Sequence, residues 1–98
     1  MFPPRPKPLY EGLKLNKNNQ QGIIYYKDGL FPEAFESFLL ASKEGSQWGQ
    51  LNTAQMYRDG EGVEKDISQA IYWYQQAARQ NNHKAKVQLK ELCLEYSC

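Results

Sequence analysis

The residues able to do chemistry are few in this chain and stand apart from one another. The one histidine, His83, follows Asn81-Asn82 in a segment that reads as a turn between helices, where a solvated ring is the ordinary state and a general base is not. Asp28, Asp59 and Asp66 fall at helix ends, where a carboxylate caps or solvates the terminus. Gly60-x-Gly62 has the look of a phosphate-cradling loop, but no Gly-Lys-Ser/Thr follows it and no strand precedes it. Cys93 and Cys98 could ligate a metal as thiolates, yet the only histidine is distant and no second ligand cluster accompanies them. The reading is of a protein that is not an enzyme and needs no cofactor or metal.

The elements that would position any site are helical and repeated. Ala34-Phe35 and Ala70-Ile71 are 36 residues apart, as are Phe38 and Tyr74, Ala41 and Ala77, and Ser42 and Ala78. The register continues from Gly49 to Ala85, Leu51 to Val87 and Thr53 to Leu89. Tyr26-Lys27-Asp28-Gly29 echoes Tyr57-Arg58-Asp59-Gly60 once five loop residues are removed. Such a period belongs to an α-solenoid, in which one hairpin cannot bury its apolar face alone.

Five helices are predicted. The first covers roughly 17–27 and is ended by Gly29; the second covers roughly 32–43, with Pro32 in its first turn and Gly45 at its stop. The third runs from near Ser46 to Gly60 and turns Leu51, Ala54 and Tyr57 inward. Asp66 caps the fourth, with Gln69 as a capping-box partner, and Ile67, Ala70, Ile71, Tyr74, Ala77 and Ala78 form its buried stripe. The fifth begins near Asn82, with Val87, Leu89 and Leu92 apolar, a stripe read as core. Gly60 and Gly62 are expected at positive φ. Residues 1–15 read as a Pro-rich tail, in which Leu9 to Leu15 could form a short helical turn. Its Pro3-x-x-Pro6 superficially matches a polyproline ligand, the solvated tail being the plainer reading. The repeat domain is placed at 16–95 and a frayed end at 96–98.

From Gly45 to Leu92 the chain resembles the Sel-1-like repeats, relatives of the tetratricopeptide repeat. The resemblance rests on Ala54-x-x-Tyr57-x-x-Gly60-x-Gly62-Val63-x-x-Asp66-x-x-x-Ala70-x-x-Trp73-Tyr74-x-x-Ala77-Ala78. The unit around Gly29-Leu30-Phe31-Pro32-Glu33-Ala34 has a shorter hairpin, closer to a tetratricopeptide unit. The resemblance implies an all-α, right-handed solenoid of about two and a half helix-turn-helix repeats, a role in assembling protein complexes, and often a bacterial source. Some secreted members staple each hairpin with a disulfide across its two helices. Here both cysteines fall in one terminal helix or its frayed end, so that staple cannot form and a reduced compartment fits best. Lys90 stands where the register has Ala54, which marks the fifth helix as a cap meeting solvent or another chain.

Composition narrows the partners. Ninety-eight residues suffice for one small domain with a real core. Net charge is +1, with 12 basic and 11 acidic residues interspersed, so neither a nucleic-acid stripe nor an anionic membrane patch is present. No apolar run is long enough for a bilayer. Prolines interrupt the N-terminus where a secretory signal would be apolar, which suggests a cytoplasmic protein or a leader outside this sequence.

The expected site is a protein-binding surface. The resemblance implies that the first helix of each hairpin lines a concave face, and the residues pointing away from the Ala54–Tyr57 edge are its candidates. These are Trp48, Gln55 and Arg58 on the third helix, Gln20, Ile24 and Lys27 on the first, and Lys84, Glu91 and Leu94 on the fifth. Trp48 either anchors a partner or packs under the tail or against the second helix. Two functions follow: an adaptor, regulator or inhibitor that binds a protein or peptide on this face, or a structural module that self-associates through its exposed end helices, the fifth among them.

Overall fold

A computed structural model describes residues 16–98. The Pro-rich tail and the possible turn at Leu9 to Leu15 lie outside them. Five helices follow one another, α1 (Lys17–Lys27), α2 (Phe31–Lys43), α3 (Gln47–Asp59), α4 (Ile67–Arg79) and α5 (His83–Tyr96), with no strand among the described residues. Each helix packs on the next in sequence, and α1 also meets α3. This is the all-α solenoid expected from the 36-residue register.

Local chemistry sets the helix ends. Asn16, Ser46 and Asn82 cap α1, α3 and α5, each side chain accepting from the backbone N–H three residues on, at 2.9, 3.1 and 2.9 Å. Asp66 caps α4 in the same way, accepting from Gln69 N–H at 3.1 Å. Only half of the expected capping box forms, because the Asp66 N–H is taken by the Tyr57 carbonyl at 2.9 Å. The turns between hairpins repeat the register. Gly45 and Asn81 both lie at positive φ, 91° and 65°, and the residue after each donates back into the preceding helix, Ser46 to Ala41 and Asn82 to Ala77. Asparagine tolerates this left-handed conformation better than other residues with a Cβ.

The core has two parts. Ala34, Phe35, Phe38 and Met56 bury between α2 and α3. Leu51, Ala54, Ala70, Tyr74, Ala77, Ala85 and Leu92 bury among α3, α4 and α5. Ala34, Ala41, Ala54, Ala70, Ala77 and Ala85 have no exposed surface, which lets the helix backbones approach closely. Tyr74 is also fully buried. Its ring contributes roughly 2 kcal/mol by leaving water, partly offset because its hydroxyl finds no well-formed hydrogen bond among the described residues.

Four expectations change. Val87 does not turn inward: it is 41% exposed although its register partner Leu51 is buried, because no further helix among the described residues covers α5. His83 is not in a turn but is the first residue of α5, still solvent-exposed. Trp48 packs against the α3–α5 core, and its buried Nε1 has no hydrogen-bond partner among the described residues. Cys93 and Cys98 are not free thiols; they form a disulfide, with Cα atoms 4.6 Å apart. Ser97 at φ 58° turns the chain back at the end of α5 and brings the two sulfurs together within one helix end, so the bond is not a staple across a hairpin.

Candidate functional site

A groove opens between α1 and α3. Gly22 makes it possible: a Cβ there would lie 2.5 Å from the Phe38 ring, so α1 leans onto α2 and stands off from α3. Two hydrogen bonds span the gap. Asn52 Nδ2 donates to Asn19 Oδ1 at 3.0 Å, and one turn and more further along, Tyr26 Oη donates to the Glu61 carboxylate at 2.9 and 3.1 Å. Between these bridges lies a cavity of about 320 Å³. Phe38 and Met56, both nearly inaccessible, make its apolar floor, and Ile23 and Tyr26 make one wall at 37% and 39% exposure. Asn52, Gln55, Arg58 and Asp59 of α3 form the other wall, with Lys27 and Glu61 at the rim.

The charges around the groove differ in how they are satisfied. Arg58 Nε donates to Asp59 Oδ1 at 3.1 Å, and Arg58 Nη1 donates to Gln88 Oε1 of α5. Burial alone would lower the Arg58 pKa, but the hydrogen bond to Asp59 and the charges of Tyr74, Asp59 and Glu91 together raise it above its ordinary value. The hydrogen bond to Glu61 raises the Tyr26 phenol above its ordinary value, with burial adding to the effect. Lys27 forms no ion pair among the described residues. Beneath Arg58, burial pushes the Tyr74 phenol up to about 12, against the opposing pull of the nearby guanidinium.

Of the residues expected at the site, Lys27, Gln55 and Arg58 come together in this groove. Gln20 and Ile24 are exposed on α1 but do not line it, and Lys84, Glu91 and Leu94 are exposed on α5, away from it. Trp48 is partly buried and packs against the α3–α5 core. Ile23, Tyr26, Asn52 and Glu61 line the groove without having been anticipated. Ile23 stands four residues before Lys27 and Asn52 three before Gln55, so helical spacing places each on a face already named. Glu61 carries no such local signal, since its partner Tyr26 is 35 residues away.

The Sel1 repeat model matches residues 9–27 and 49–82, the first segment beginning ahead of the described residues. The crystal structure of a Sel1 repeat protein from Oxalobacter formigenes is similar to this chain with a TM-score of 0.75 and 26% identity. The similarity covers 89% of this chain and 44% of that one, so this chain spans less than half of its length. No curated protein matches. With the family model covering α1, most of α3, all of α4, and more than half of the sequence, the chain belongs to the Sel1 repeat family.

Proposed function

We propose that this protein is a non-catalytic interaction module that holds a protein partner in the groove between α1 and α3. Sel1 repeats generally mediate protein–protein interaction and serve as non-catalytic scaffolds. The observation that carries the reading is the groove's composition. It has an apolar floor of Phe38 and Met56, one half-open apolar wall of Ile23 and Tyr26, and amides at Asn52 and Gln55 on the facing polar wall. Concave apolar surfaces with a few fixed polar groups are where proteins take ligands.

The outer face of α5 supports a second reading, self-association, because Val87 and Leu94 are 41% and 77% exposed there. Lys90 lies between them, exposed, and opposes burial of that face. One experiment separates the two readings. Protein captured from the native host by the wild-type domain is compared with that captured by Ile23→Glu, Arg58→Glu and the double variant Val87→Glu/Leu94→Glu, with thermal melts for each. The groove reading expects loss with the first two and retention with the third. Retention by both groove variants overturns it, and a wild-type dimer in light scattering that the double variant abolishes favours self-association.

A further inference from the structure

The C-terminal end of α5 is built unlike the other helix ends. α1 to α4 each carry a basic residue in the last turn, Lys27, Lys43, Arg58 and Arg79, which suits the negative end of a helix. The last turn of α5 has none, and Glu95 places a carboxylate there instead. Among the described residues, positive φ falls on four glycines, on Asn81 and on Ser97. Ser97 is the one of these whose type does not favour the left-handed region. Its N–H and that of Cys98 nevertheless both donate to the Cys93 carbonyl and close the helix, and the Cys93–Cys98 bond spans that closure. Cys98 is exposed and Cys93 half-buried, so the bond can be reached from solvent.

We propose that this bond is a redox-controlled cap. Oxidised, it holds the last turn of α5 helical; reduced, the turn from Cys93 to Tyr96 unwinds, and the buried Leu92 stops the unwinding there. Leu94 stands seven residues after Val87 and shares its outward face while the helix is intact. Reduction takes Leu94 off that face and shortens the apolar edge of α5. The reductant is a small thiol. Its thiolate attacks the exposed Cys98 Sγ, the sulfur–sulfur bond breaks, and the electron pair leaves on Cys93 Sγ, which takes up a proton. A second thiolate attacks the mixed disulfide at the sulfur supplied by the first, and Cys98 leaves and is protonated in turn. Two protein thiols form, and two small thiols become one disulfide.

The test compares exchange protection of backbone amides in the full 15N-labelled chain, oxidised and in excess dithiothreitol, for the parent, Cys98→Ser and Ser97→Gly. Reduction of the parent should expose two alkylatable thiols. It should also lower protection at Tyr96, Ser97 and Cys98 roughly five- to thirtyfold, the population change expected when a left-handed residue with a Cβ is no longer held. Ala85 and Leu92 should keep theirs. Cys98→Ser should match the reduced parent with or without dithiothreitol. Ser97→Gly suits the left-handed region and should keep most of its protection when reduced. Unchanged protection in the reduced parent overturns the proposal, as do two alkylatable thiols that persist in oxidised glutathione. Equal loss at Ala85 overturns it too, because the bond would then stabilise the whole of α5 and not its end.

Discussion

Between α1 and α2 the chain turns through Asp28–Leu30, whereas between α3 and α4 it takes the longer path Gly60–Asp66. The short turn touches little: a Cβ built on Gly29 meets nothing within 4 Å, and Asp28 and Leu30 are exposed. The long loop reaches back onto the preceding hairpin. Gly62 lies so close to the start of α2 that a Cβ would stand 2.2 Å from the Phe31 carbonyl oxygen, and Glu61 meets Tyr26 of α1. The extra residues therefore do more than connect two helices. They make the second hairpin grip the first and supply one rim of the groove.

The comparison is most easily broken at the glycines. Both Gly29 and Gly62 have positive φ, 77° and 71°, so alanine is strained at either. Only Gly62 is also pressed against backbone. Gly62→Ala should cost about 2–4 kcal/mol, strain and overpacking together, and Gly29→Ala only about 1–2 kcal/mol. Urea midpoints that shift equally would show that the long loop does not grip α2.

Ala70→Trp tests the helices that the long loop joins. Ala70 has no exposed surface in the α3–α4 contact, so the variant should lose about 1–3 kcal/mol by overpacking. His83→Ala, on an exposed residue of α5, should stay within about 0.5 kcal/mol of the parent. Equal losses in thermal denaturation would place the buried face elsewhere.

A small effect at neutral pH is also expected at Tyr74, whose place in the first hairpin's register is taken by Phe38. Its buried hydroxyl makes no well-formed hydrogen bond among the described residues, so Tyr74→Phe should be neutral or stabilising by up to about 1 kcal/mol. Alkali should enlarge the difference. The folded phenol keeps its proton up to about 12, while an unfolded tyrosine loses it near 10. Its contribution is fully present below pH 10 and is lost as pH rises toward 12, because the unfolded chain ionises first. Helical circular dichroism followed across that range should fall less steeply in Tyr74→Phe than in the parent.

Much of the fold was legible because it is written in local patterns. Alanines and aromatics at helical spacing located the buried faces of α2 and α4, and Gly45, Asp66 and Asn82 marked helix ends within a residue. Val87 was misread because the register equates it with Leu51, and the register carries no information about whether another helix follows. Trp48 stands three residues before Leu51 and thus shares a face with it, but periodicity could not say how far round the axis the core extends. The cysteine pair escaped because it depends on Ser97 adopting positive φ, a reversal that no spacing rule requires. At the groove, Lys27, Gln55 and Arg58 were found from helix faces. The approach of Glu61 to Tyr26 depends on how one hairpin leans on another, which emerges only from the packed structure.

Tyr57 packs against both parts of the core, edge-on to Phe35 at 5.0 Å on one side and beside the α3–α5 cluster on the other. A repeat array behaves as a row of units whose cooperativity depends on the coupling between neighbours. With one aromatic ring shared between two cores, neither can loosen without removing contacts from the other. Local opening that starts at α5 or at α1 therefore meets a common barrier at the middle of the row, and the two halves melt as one.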